Sequence, residues 1–171
     1  MNDINILVVD DEKEIADLLE LYLISDGYQV KKAYDAMEGL QIMKKEKIDL
    51  VLLDIKHSDA KGHKELTGRE QSPVLAFAKA LEQAEVPMII RHVAVPGITD
   101  QEEELREVGH LIGRFRNLKG LEVLPYHTMG VNKYKELGME YSLDGVPDMK
   151  PEEAKKARNI ILEGIREISL E

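Results

Sequence analysis

The chain has 171 residues, the length of one compact domain, with 23 basic against 33 acidic side chains and a formal charge of -10. Polyanionic partners such as nucleic acid or an anionic membrane surface are therefore not expected. Cysteine is absent, which excludes disulfides, thiolate nucleophiles and cysteine-held zinc or iron–sulfur centres.

The opening MNDINILVVDD carries acids where a secretory signal needs bases, so a cytoplasmic chain is expected. Ile4 to Val9 reads as a buried parallel strand that ends in two acids. Asp11 then opens a helix, with Glu14 at capping-box spacing and Ile15, Leu18, Leu19, Tyr22 and Leu23 along one face. Gln29 to Tyr34 is a second strand, and Asp35 with Glu38 repeats the cap before a helix bearing Met37, Leu40 and Met43. Asp49 to Ile55 is the third strand, continuously apolar from Leu50 to Leu53 and followed by Asp54.

Residues 56 to 72 read as a long loop. Ser72-Pro73 starts a helix that turns Val74, Leu75, Phe77, Ala78 and Leu81 inward, and Val86 to Val95 forms the fourth strand. The apolar run from Val74 to Ala78, five residues, is the longest in the chain. Crossing a bilayer takes about 20, so no membrane partner is expected. Thr99 and Glu102 form another capping box, for a helix with Leu105, Val108, Leu111, Ile112 and Phe115 on its stripe. Leu121 to Leu124 is the fifth strand. A second long loop, 125 to 150, precedes a helix from about Pro151 that buries Ala154, Ala157, Ile160, Ile161, Ile165 and Ile168.

Strands alternating with crossover helices imply a mainly parallel sheet. Five βα units fit an α/β, doubly wound sheet of flavodoxin type, strand order 2-1-3-4-5. The alternative is an open partial βα barrel, since a complete barrel takes about 250 residues.

Residues 4 to 55, from NILVVDD to LLDI, resemble the receiver domain of bacterial two-component response regulators. The resemblance implies that Asp10, Asp11 and Asp54 gather around Mg²⁺ and that Asp54 accepts phosphate. A hard dication calls for oxygen ligands, and phosphoryl transfer calls for metal neutralisation of its charge. Beyond Asp54 the pattern departs. Strand four runs into Arg91-His92-Val93 and strand five into Pro125-Tyr126-His127, where a receiver has its hydroxyl and its lysine, so the phosphoacceptor is expected to be vestigial.

The strings LLDIKHSDAKGHKELTG, VPMIIRHVAVPGITDQEEELREVGHLIGRF and LKGLEVLPYHTMGVNKYKELGMEYSLDGV resemble the C-terminal half of pyruvate formate-lyase activating enzyme, a radical S-adenosylmethionine enzyme on a partial βα barrel. That resemblance covers residues 52 to 146 and implies a vestigial S-adenosylmethionine site at Lys56, Arg91 and His127. The family's cluster-binding cysteines have no counterpart, so the radical reaction is expected to be lost. Both resemblances share LLDI, residues 52 to 55. The expected organisation is one domain of two fragments, 1 to 55 from a receiver and 56 to 171 from a barrel half, joined as an engineered chimera.

Plainer readings stand beside these. Asp11 has work as a helix cap, and Asp54 and Lys56 can pair with each other; the Lys56 ammonium can also compete with Mg²⁺ for the carboxylates. The histidines at 57, 63, 92, 110 and 127 show no zinc spacing and are expected on loops and helix surfaces. The functional expectation is therefore a structural chimera that is not an enzyme and requires no cofactor. The alternatives are a receiver-like Mg²⁺-binding module and a non-catalytic S-adenosylmethionine-binding remnant. Exposed sheet edges invite a homodimer, through edge strands or by exchange of the last helix.

Overall fold

The computed structural model describes residues 3–138 and 140–169. In chain order the elements are β1 (Asn5–Val9), α1 (Lys13–Ser25), β2 (Gln29–Ala33), α2 (Ala36–Lys45), β3 (Leu50–Asp54), α3 (Ala60–Thr67), α4 (Ser72–Gln83), β4 (Met88–Ala94), α5 (Glu102–Ile112) and β5 (Leu118–Pro125). A 3-10 turn (Thr128–Gly130), α6 (Val131–Glu136) and α7 (Pro151–Ser169) follow. The five strands form one open sheet in the order β2-β1-β3-β4-β5. That is the flavodoxin order. The edge strands β2 and β5 do not meet, so the sheet is not a closed barrel.

Pairing is parallel from β1 to β2, from β1 to β3 and from β3 to β4, with Val9 opposite Leu53 and Asp54 opposite Arg91. Strand order reverses beside β1, and the carboxyl ends of β1 and β3 flank that reversal, where open α/β sheets place their sites.

The chain divides into two compact units. The first comprises Met1–Ile55, Glu70–Arg91 and Phe115–Leu121. Its core holds Leu7, Val8, Val51, Leu53, Phe77, Ala78, Leu81, Met88 and Ile90, all buried. Ala16 on α1 is buried with Ile6 and Val8, and Leu19 and Leu23 pack on that cluster. Leu18 and Tyr22, expected on the same face, are exposed, as is Met37 of α2. Small residues set the buried rows instead. A Cβ at Gly39 would stand 3.0 Å from the Phe77 ring, so α2 approaches Phe77 along Ala36 and Gly39, and Met37 turns to solvent.

Three of the expected caps form differently. The Asp35 carboxylate does accept from the Glu38 N–H at 2.8 Å, and the Glu38 carboxylate accepts from the N–H of Tyr34. Asp11 is not the cap of α1, whose N-cap is Glu12 with no side-chain cap, and the Asp10 carboxylate accepts the Glu12 N–H. Ser72 lies inside α4, whose N-cap is Gln71. The Thr99 hydroxyl donates to the Val93 carbonyl and accepts from the Val95 N–H, so it braces a turn, and α5 starts after Gln101 without a side-chain cap.

The second unit comprises Lys56–Arg69, His92–Arg114 and Glu122–Glu171. The expected loop 56 to 72 contains α3. Asp59 caps it by accepting the Gly62 N–H at 2.8 Å, and Gly68 ends it at φ 73. The expected loop 125 to 150 likewise contains the 3-10 turn and α6. Leu105, Val108 and Ile112 of α5 and Ala154, Ala157 and Ile161 of α7 are buried. Where the two helices meet, a Cβ on Gly109 would overlap the Ile161 carbonyl oxygen, and one on Gly164 the Arg106 carbonyl oxygen. The helices therefore touch backbone to backbone. At the rim of this contact His110 bonds Glu167 at 2.6 Å, and Arg106 pairs with Glu102 and Glu167.

Gly109→Ala forces main chain apart. The helix-propensity gain of about 1 kcal/mol is outweighed by overpacking, and a net loss of about 2 kcal/mol in urea unfolding is expected. The rim responds to pH. The hydrogen bond to Glu167 holds the His110 imidazolium above its usual pKa, and the hydrogen bond to His110 holds the Glu167 carboxyl below the usual range. The His110 contribution is complete below the ordinary imidazole range and is lost as pH rises through the raised value. The melting-temperature difference between the native chain and His110→Gln is expected to be largest in mild acid and to vanish in alkali; a difference that grows with pH contradicts the assignment.

Candidate functional site

The carboxyl ends of β1 and β3 and the middle of β4 carry a row of charged side chains. Val9 is opposite Leu53 and Asp54 opposite Arg91, so Asp10, Asp54 and Arg91 stand side by side across three adjacent strands. Paired positions in parallel strands project to the same face, and the three side chains meet. One guanidinium nitrogen of Arg91, Nη1, donates to Asp10 Oδ2 and to Asp54 Oδ1, each at 3.1 Å. The other Asp10 oxygen, Oδ1, accepts the Glu12 N–H at 2.9 Å. Asp10 is 2% exposed and Arg91 4%, so this is a desolvated cluster and not a surface pair.

The expected Mg²⁺ ligands are thus partly assembled. Asp10 and Asp54 converge, whereas Asp11 is exposed on the loop before α1. A magnesium ion bridging Asp10 Oδ2 and Asp54 Oδ1 would sit about 2.0–2.1 Å from each, in the space that Nη1 fills. With Arg91 in place the residues do not fit a bridging dication.

Of the positions expected for S-adenosylmethionine, Arg91 is taken up by this cluster. Lys56 and His127 belong to the other unit, Lys56 half-buried after β3 and His127 exposed after β5. The chain offers no cysteine for an iron–sulfur cluster, so its donor set does not fit one. The role of Arg91 toward the acids was missed in the sequence, because it depends on the β3–β4 register. Two histidines also depart from expectation: His63 and His92 are buried.

Comparison with known proteins identifies the family and the fold. The family described as the response regulator receiver domain matches residues 6–98, more than half of the chain. The chain belongs to the response regulator receiver family. Two solved receivers share its fold at a TM-score of 0.50. A response regulator receiver protein from Pseudomonas putida is 22% identical, covering 81% of this chain and 97% of that one. The signal receiver domain of a putative Luxo repressor protein from Vibrio parahaemolyticus is 16% identical, covering 92% and 94%.

The receiver chain is also similar to pyruvate formate-lyase-activating enzymes. That of Clostridium pasteurianum is 44% identical over 115 residues, covering 67% of this chain and 48% of the enzyme. That of Staphylococcus epidermidis is 45% identical over 109 residues, covering 64% and 43%. The chain spans a little under half the length of these relatives.

Removing the guanidinium leaves the buried Asp10 and the part-buried Asp54 facing each other, and Arg91→Met is expected to cost about 3–5 kcal/mol at neutral pH. Adding Asp10→Asn and Asp54→Asn to that variant is expected to restore most of the loss in urea unfolding. A triple variant no more stable than Arg91→Met refutes the electrostatic account.

Proposed function

We propose that the chain is a recombined composite: a receiver-type portion, residues 1 to 55, joined to a portion of pyruvate formate-lyase-activating-enzyme type, residues 56 to 171. Its role is structural, one open sheet assembled from flavodoxin-like and barrel-derived fragments. It carries neither phosphorelay nor radical chemistry and works as no enzyme.

The observation that carries this reading is the Arg91 guanidinium between Asp10 Oδ2 and Asp54 Oδ1. Asp10 comes from the portion that resembles a receiver, Arg91 from the portion that resembles the activating enzymes, and Asp54 from the tetrapeptide that both share. In the receiver resemblance the two acids attract a metal; in the enzyme resemblance the arginine attends S-adenosylmethionine. Joined in one sheet, the groups pair with each other, and each ancestral ligand meets a site where the arginine already offsets half of the acids' charge. The absence of cysteine removes the cluster on which S-adenosylmethionine cleavage depends.

The test is gain of metal response. The native chain is expected to show no change in melting temperature with Mg²⁺ and no acyl phosphate on Asp54 with a small phosphodonor. Arg91→Ser is expected to be destabilised without metal, to gain melting temperature on adding Mg²⁺, and to lose that response when Asp54→Asn is added. Mg²⁺ stabilisation of the native chain that Asp54→Asn abolishes overturns the proposal in favour of a working receiver. S-adenosylmethionine binding by calorimetry, abolished by Arg91→Ala, overturns it in favour of a ligand-binding remnant.

A further inference from the structure

A second set of metal-ligating side chains lies within the other unit, formed by His57, Asp59 and Glu104. His57 and Asp59 flank Ser58 just before α3, and Glu104 lies in the first turn of α5. Each residue turns one ligand atom toward the others, all within 4.8 Å. His57 Nδ1 is 3.2 Å from Glu104 Oε1 and 3.6 Å from Asp59 Oδ2.

These separations are informative. Zinc binds imidazole nitrogen and carboxylate oxygen at about 2.0–2.2 Å, and in a tetrahedron the ligand atoms are then about 3.3–3.6 Å apart. The edge to Asp59 is of that length and the edge to Glu104 is just short of it, and both are longer than a good charged hydrogen bond at about 2.7–2.9 Å. Nδ1 accepts only a long bond, 3.2 Å, from the Asp59 N–H, which a metal ion at that nitrogen would replace.

The supporting contacts hold the ligands as a second shell does. Asp59 uses Oδ1 to accept the Gly62 N–H at 2.8 Å, leaving Oδ2 for the trio. Glu104 Oε2 accepts the Ser58 hydroxyl at 2.6 Å and Oε1 the Ser58 N–H at 2.7 Å. The His57 ring lies against the backbone of α3 at Gly62, where any Cβ would overlap it. Glu104 and His57 have side chains 13% and 14% exposed, and Asp59 63%. The set is therefore two sheltered ligands with a third exposed to solvent.

We propose that His57 Nδ1, Asp59 Oδ2 and Glu104 bind one divalent transition-metal ion of the zinc type, independently of the Asp10–Arg91–Asp54 cluster. The experiment uses the full chain, stripped with a chelator and titrated with Zn²⁺ by calorimetry, with Co²⁺ and its visible absorption as a second readout. One equivalent is expected. His57→Ala and Glu104→Gln are each expected to weaken binding at least tenfold, and Co²⁺ bands of four- or five-coordinate intensity are expected in the native chain and absent from both variants. Glu104→Gln keeps one of the two acceptors for Ser58, and its melting temperature without metal separates loss of a ligand from loss of fold. His110→Gln, at the other histidine–carboxylate grouping, and Asp54→Asn are expected to leave the affinity unchanged. Absence of Zn²⁺ binding overturns the proposal, as does binding that survives both His57→Ala and Glu104→Gln.

Discussion

Two carboxylates at the ends of neighbouring strands repel each other, and a cation held between them offsets that repulsion. Asp10 and Asp54 are in that position, and the cation is the Arg91 guanidinium. Unlike a metal ion or a proton it is covalently part of the sheet, so its occupancy depends on neither concentration nor pH in the ordinary range. Arginine suits the task because its guanidinium is more weakly hydrated than an ammonium and offers several donors in one plane. Its position follows from register alone: once Asp54 is opposite Arg91 on adjacent parallel strands, both side chains leave the sheet on one face. The same pairing fixes β4 against β3, and thus ties the charge balance of the site to the packing of Val51, Leu53, Met88 and Ile90 beneath it.

The strands were legible because a strand covered on both faces must be apolar without interruption, and Leu50 to Leu53 is. Helix positions were legible from period, but their faces less so. Leu18, Tyr22 and Met37 are large, and a reading weighted by hydrophobicity turns them inward; the structure turns Ala16, Ala36 and Gly39 inward instead. Small residues bury because they let a helix come close, and closeness is a property of the partner that local sequence does not contain. Caps fail for a related reason. Asp10 and Asp11 compete for the same backbone donors, and the residue already held by Arg91 takes the Glu12 N–H. Thr99 has its hydroxyl engaged by Val93 and Val95 before α5 begins. Of the capping boxes read from the sequence, the one at Asp35 gives the observed bond.

The acids of the first site were readable as strand-end residues and through the family resemblance, while their partner was not. Arg91 is 81 residues from Asp10 along the chain, and nothing local to IRHVAVPG says which carboxylate it will meet. Glu104 is a sharper instance. Within Glu102 to Glu104 it reads as one of three acids that favour the positive end of a helix, yet it differs from its neighbours in receiving both donors of Ser58, 46 residues away. Sequence period identifies which residues share a helix face; it does not identify what another segment brings to that face.

An acidic chain with 23 bases for 33 acids organises its charges by sharing. Arg91 serves Asp10 and Asp54, Lys32 serves Asp17 and Glu20, Arg106 serves Glu102, Glu163 and Glu167, and His110 serves Glu107 and Glu167. A shared cation separates acids that would otherwise repel, so its removal both loses an attraction and exposes a repulsion. Pairwise values taken one contact at a time therefore understate the cation and overstate each acid. At the exposed rim, water and salt screen the difference and leave it small. At Arg91, which is 4% exposed, that screening is weak, and the difference falls on the fold.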